Sequence, residues 1–140
     1  MSLAIVYTRA ALGIEAPLIT VEVHLSNGLP GLTMVGLPET TVKEARDRVR
    51  SALINSGYAF PAKKITINLA PADLPKEGGR YDLPIALALL VASEQLNTTR
   101  LNQYEFCGRT RPYRWVTRRS RGDPQRNGGH QSRPAHCRLL

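Results

Sequence analysis

Periodic hydrophobic patterning runs along this chain as far as Phe106 and then stops. A polypeptide packs a core only where its apolar residues recur at the period of a helix or a strand, so the foldable part is bounded there. Charge divides at the same place. Residues 1–106 carry four Lys and six Arg against ten Asp and Glu, a net charge of zero. Residues 107–140 carry nine Arg, no Lys and one acid, Asp123, so the whole +8 of the 140-residue chain lies there. That stretch also holds both cysteines (Cys107, Cys137), the only tryptophan (Trp115) and two of the three histidines (His130, His136). Two units are therefore expected: a domain over 1–106 and an arginine-rich, unstructured tail over 107–140.

Composition removes several classes. Hydrophobic residues at 42% and charged residues at 21% suit a soluble globular protein. The longest apolar run, Leu83 to Ala92, is ten residues, too short to cross a bilayer. The first residues lack a basic segment followed by a long apolar one, so no secretory signal is read. Two cysteines exclude a disulfide scaffold. The expected location is the cytoplasm, with no membrane partner.

Leu3 to Arg9 reads as a first strand, rich in β-branched and aromatic residues. Val21, Val23 and Leu25 alternate with Glu22, His24 and Ser26, the period of a half-buried strand. The Asn27-Gly28 corner predicts a hairpin into a third strand, Leu32 to Val35. A helix follows Pro38, with Thr41 and Glu44 at capping-box spacing. Val42, Ala45, Val49, Ala52 and Leu53 form its apolar stripe, and Glu39–Lys43 and Glu44–Arg48 are acid-before-base pairs four apart. Gly57 supplies a left-handed stop. Ile65, Ile67 and Leu69 mark a fourth strand. Asp82 can cap a second helix that is apolar all round from Ile85 to Ala92 and so should be buried. Three strands, helix, strand, helix predicts a two-layer α/β (α+β) domain with both helices on one face of a mixed sheet.

The densest polar segment is the loop that opens the second helix: Lys76, Glu77, Gly78, Gly79, Arg80 and Asp82. Its glycines would let backbone amides approach an anion while Lys76 and Arg80 supply charge; its bland reading is a solvated connection. No Gly-x4-Gly-Lys-Ser/Thr occurs, so an ATP phosphate loop is excluded. Gly-x-Ser-x-Gly is absent too, and Ser51, Ser56 and Ser93 lie in or at the ends of helices without a paired base. His24 belongs to the polar face of a strand. Asp73, Glu77 and Asp82 share a loop, where capping and solvation account for them as simply as acid–base work. Cys107, His130, His136 and Cys137 match no compact zinc spacing. No catalytic, cofactor or metal residue is assigned. Lys43, Arg46 and Arg50 give the first helix a basic face diluted by acids, and the tail predicts salt-sensitive, sequence-independent adhesion to nucleic acid.

Three segments carry a specific resemblance. Gly28-Leu-Pro-Gly-Leu-Thr-Met-Val-Gly-Leu-Pro-Glu39, Val42-Lys-Glu-Ala-Arg-Asp-Arg-Val-Arg-Ser-Ala52 and Ile67-Asn-Leu-Ala-Pro-Ala-Asp-Leu-Pro-Lys-Glu-Gly-Gly-Arg-Tyr-Asp-Leu-Pro-Ile-Ala86 are similar to the N-terminal domain of the competence-related, magnesium-chelatase-like AAA+ ATPases of bacteria, the ComM/YifB type. The likeness covers about residues 1–106. It implies a Lon-protease-like fold, shared with the second domain of a small-subunit ribosomal protein. For an intact family member it implies ATP and magnesium, a hexameric ring and a DNA-associated motor acting in transformation and recombination.

Departures from the family bound what this chain does. Beyond Phe106 the family continues Val-Gly-Glu-Leu-Ala-Leu-Thr-Gly, whereas this chain runs Cys107-Gly108-Arg109. Codons for Gly108–Thr117 can be chosen so that reading one base later yields Gly-Glu-Leu-Ala-Leu-Thr-Gly-Gly-Leu-Arg. A frameshift in GC-rich coding DNA accounts for that and for the Arg, Gly, Pro, Trp and Cys of the tail. The AAA+ module lies past the break, so the expectation is a truncated, non-enzymatic first domain. Two rivals stand beside it. A Lon-like peptidase fragment is weakened because Glu77 to Pro84 contains no serine; a nucleic-acid-binding module would act through the tail. Lost strands would also leave an open sheet edge.

Overall fold

The structure, a computed structural model, describes residues 2–10, 16–74, 76, 79–96, 100–107 and 136–139. Strands β1 (Ser2–Arg9), β2 (Leu18–Ser26) and β3 (Gly31–Val35) precede helix α1 (Glu39–Asn55) and strand β4 (Lys64–Ala70). A 3-10 turn (Gly79–Tyr81) leads into helix α2 (Asp82–Ala92), and a second (Leu101–Gln103) into β5 (Tyr104–Cys107); β6 is His136–Leu139. The expected sequence of three strands, helix, strand, helix is present, in a mixed α/β arrangement.

Alternation decides which side chains meet. Ala4, Val6 and Thr8 of β1 share a buried face with Ile19, Val21, Val23 and Leu25 of β2 and Ile65, Ile67 and Leu69 of β4. Helix α2 packs across β1 and β2 and reaches β5, and α1 packs on α2. Nine of the eleven residues of α2 are buried, as an apolar sequence without a polar face requires. On α1 the burial narrows to the stripe Ala45, Val49, Ala52 and Leu53, with Val42 half-buried at its margin. One core thus forms between two helices and one face of the sheet.

Within that core Thr8 is fully buried, and its Oγ1 has no hydrogen-bond partner among the described residues. An unmet buried hydroxyl costs more than it contributes. Thr8→Val, which keeps the shape, is expected to raise stability by about 1 kcal/mol, seen as a higher urea midpoint at unchanged m. A lower midpoint would mean that the hydroxyl has a partner.

The predicted β2–β3 hairpin does not form. The sheet order is β3-β4-β2-β1-β5-β6, so β4 lies between the two strands. It runs antiparallel to β2 from Thr20↔Ala70 to Ser26↔Lys64 and parallel to β3 from Gly31↔Lys64 to Val35↔Asn68. The reason is competition for the central place. β4 brings three fully buried aliphatics, whereas β3 brings only the half-buried Leu32 and Met34, so burial favours β4 inside and β3 at the margin. Asn27-Gly28 still turns the chain, but turn chemistry does not register a strand that arrives thirty-odd residues later.

Both expected caps are corrected as well. Helix α1 starts at Glu39 behind Pro38, with no side-chain cap, and Val42 N donates to Pro38 O at 3.0 Å. Thr41 is therefore the third helical residue and cannot close a capping box with Glu44. Asp82 is the first residue of α2, not its cap, and its carboxylate is held elsewhere. The stop at Gly57 does form. With φ of +85°, it lets Gly57 N reach Ile54 O at 3.1 Å and Tyr58 N reach Leu53 O at 2.9 Å, the paired bonds of a Schellman turn.

Of the tail, residues 108–135 and 140 lie outside the described residues, Trp115 and His130 among them. Within that tail His136–Leu139 pairs antiparallel with β5, Tyr104 opposite Leu139 and Cys107 opposite His136. Pairing at a sheet margin draws on backbone groups, so it needs no apolar pattern.

Candidate functional site

The polar loop predicted from sequence enters the fold beside the turn between β3 and α1. Gly36, Leu37 and Pro38 from that turn, and Ala72, Asp73, Leu74 and Lys76 from the segment after β4, line a cleft of about 440 Å³. Gly36 makes the close approach possible. Its φ is +99°, and a Cβ there would stand 2.5 Å from Leu69 O.

Lys76 is only 3% exposed. Its Nζ donates to the carbonyls of Pro71 and Leu74, the second at 3.2 Å, so the ammonium closes its own loop. Burial lowers its pKa from the ordinary lysine value, partly offset by Asp73. Arg80 is half-buried, and its Nε has no partner among the described residues. Glu77 and Gly78 lie outside the described residues, and Gly79 opens the 3-10 turn.

Asp82, 1% exposed, is gripped by Arg48 of α1: Nε donates to Oδ2 at 2.7 Å and Nη2 to Oδ1 at 3.2 Å. This bidentate bond, aided by Glu44 at 3.5 Å, holds the Arg48 guanidinium above its usual pKa. It ties the start of α2 to the middle of α1. The described members of the predicted loop therefore do not converge as one charged rim. Lys76 turns inward to carbonyls, and Asp82 is spent on a helix–helix ion pair.

Sequence reasoning missed that pair and a second one. Arg9 of β1 donates to Glu105 Oε1 of β5 through Nε at 2.8 Å and Nη2 at 2.6 Å, and through Nη1 to Ala16 O at 3.0 Å. The bond to Glu105 is the main reason that the Arg9 pKa is raised. Partners 34 and 96 residues apart leave no local spacing by which to find them.

The other candidates settle into structural roles. Ser93 ends α2, with Oγ donating to Leu89 O at 2.8 Å and accepting from Gln95 Nε2 at 2.8 Å; no base is involved in these bonds. Ser56 is the C-terminal cap residue of α1, Ser51 is half-buried within it, and His24 is half-buried on the outer face of β2. On the basic face of α1, Lys43 pairs with Glu39 at 3.8 Å, Arg46 with Asp47 at 3.3 Å, and Arg50 lies 5.9 Å over the Phe60 ring. Such exposed pairs each contribute at most about 1 kcal/mol. Among the described residues, no cluster of three His, Cys, Asp or Glu could hold a metal, and no helix is long and apolar enough to cross a membrane.

Similarity to known proteins points in one direction. The chain is 83% identical over 108 residues to YifB of Salmonella typhimurium (strain LT2), covering 77% of this chain and 21% of the relative. It is 70% identical over 106 residues to the competence protein ComM of Haemophilus influenzae, covering 76% and 21%. A protein of Mycobacterium tuberculosis (strain H37Rv) is 38% identical over 122 residues, covering 83% and 24%. The chain thus spans about a fifth of the length of these relatives and corresponds to their N-terminal part. Residues 21–110 match the family described as subunit ChlI of Mg-chelatase. That match takes in more than half of the sequence, and the chain belongs to this magnesium-chelatase-like family, with YifB and ComM among its relatives.

Proposed function

We propose that this chain serves as a non-catalytic N-terminal domain, in the cytoplasm, of a ComM-like ATP-driven motor that acts on DNA as a hexameric ring. The observation that carries the reading is the 70–83% identity to ComM and YifB over a fifth of their length. ATP and magnesium belong, on this reading, to the part of a full-length relative that this chain does not match. The residues present here do not fit the nucleotide: no phosphate loop is in the sequence, and Lys76, the one lysine beside a glycine pair, is bonded to carbonyls. Serine peptidase chemistry finds no support either, since Ser93 is engaged by backbone carbonyls and Gln95.

Phosphate release from ATP by the purified chain, with and without DNA, is expected to stay at the level of a buffer blank. Turnover that follows the protein through successive purification steps would end the non-catalytic reading. A second reading rests on the +8 charge carried by residues 107–140. Non-specific DNA binding through those arginines should fall by orders of magnitude, about 10³-fold or more, between 50 and 200 mM salt if six or more phosphates are contacted. Replacing the nine tail arginines with glutamine should abolish it. Undiminished binding by that variant would move the DNA contact to the folded domain.

A further inference from the structure

The outward edge of β5 is where the patterned domain meets the tail. Its inner edge is set by β1, with Tyr7 opposite Glu105, and is anchored by the Arg9–Glu105 bond and by Phe106 against the core. Its outer edge is taken by His136–Leu139. That segment, His-Cys-Arg-Leu, is four residues long and is joined to β5 in sequence by the 28 residues 108–135. What holds it is main-chain hydrogen bonding, the mode by which exposed edges take up any extended segment.

We propose that the outer edge of β5 is a strand-acceptor site, plugged in cis by residues 136–139, and that its competing occupant is β5 of a second copy of this chain. Two copies present the same edge, and antiparallel pairing about a twofold axis satisfies both at once. A register centred on Phe106 sets Glu105 opposite Cys107 of the second copy, so the two carboxylates are not opposed. The plug prevails at ordinary concentration because it belongs to the same chain, which makes its encounter with the edge intramolecular. The second copy gains the site when the plug is disabled.

The test uses the full chain and a Cys137→Pro/Leu139→Pro variant under reducing conditions, since proline removes the donors that β6 needs. Sedimentation equilibrium and amide exchange at Tyr104–Cys107 are measured at about 1 μM and about 200 μM, because association is concentration-dependent. The parent should remain at the 15.4 kDa of one chain, with 104–107 protected at both concentrations. The variant should double in mass at the higher concentration. Its 104–107 amides should exchange at least about tenfold faster at the lower one, as expected of an edge opened and closed by association. Deleting residues 136–140 repeats the test without introducing a proline. A variant that stays monomeric with fast exchange at both concentrations overturns the second copy as occupant. Unchanged protection in a monomeric variant overturns the plug, and mass doubling without concentration-dependent protection at 104–107 places the contact elsewhere and overturns the site.

Discussion

Gly36→Ala is expected to lower the melting temperature, followed by circular dichroism, by about 12–24 °C, the shift that about 3 kcal/mol produces in a domain of this size. Two costs combine. A φ of +99° is foreign to residues with a Cβ, and the added carbon would stand 2.5 Å from Leu69 O and 3.2 Å from Leu69 Cβ. Leu69 belongs to a fully buried position of β4, so neither neighbour can swing away. Gly57→Ala is the control. Its φ of +85° is also positive, but nothing lies within 4 Å of the new carbon, so only the backbone term remains, about 1 kcal/mol. Equal losses at the two sites would show that the contact with Leu69 carries no weight.

Arg48→Ala should cost about 3 kcal/mol in urea unfolding, at the lower end of what removal of one partner from a buried pair does. Asp82 is 1% exposed and would lose the guanidinium that now donates two bonds to it. The start of α2 softens the loss, because the helix dipole favours an acid in the first turn by about 0.3–1 kcal/mol. Arg48→Met with Asp82→Leu should recover most of the stability, since apolar replacement of both partners leaves no buried charge. The double-mutant cycle separates the pair from its packing. If the single and double variants lost the same amount, the Arg48 side chain would be acting through its apolar stem alone.

These two sites differ in how far they could be read in advance. The core-facing residues of β2, the stripe on α1, the Glu39–Lys43 and Glu44–Arg48 pairs, the stop at Gly57 and the burial of α2 were all readable. Each depends on neighbours one to four residues away, where the helix and strand periods act. Thr41 and Asp82 misled for the same reason. Capping spacing is a local signal, but Pro38 placed the helix start three residues earlier, and Arg48 offered Asp82 a partner 34 residues away. The polar loop was legible as polar, but not as inward-turning. Lys76 donates to the carbonyls of Pro71 and Leu74, five and two residues back, but no motif marks a lysine that closes its own loop in this way.

Residue order alone determined the first four strands and both helices, the apolar faces of β2, β4 and α1, and where patterned sequence gives way to arginine-rich sequence, but it left β5 and β6 unread. It also placed the chain among its relatives, because those segments are specific as strings of letters. Only the tertiary structure decided that β4 separates β2 from β3, that Arg48 and Arg9 meet carboxylates from distant elements, and that residues 136–139 lie on the edge of β5. Element identity is a free energy summed over near neighbours. Strand order and ion-pair partners are settled by competition between remote segments for one interior and one set of backbone groups.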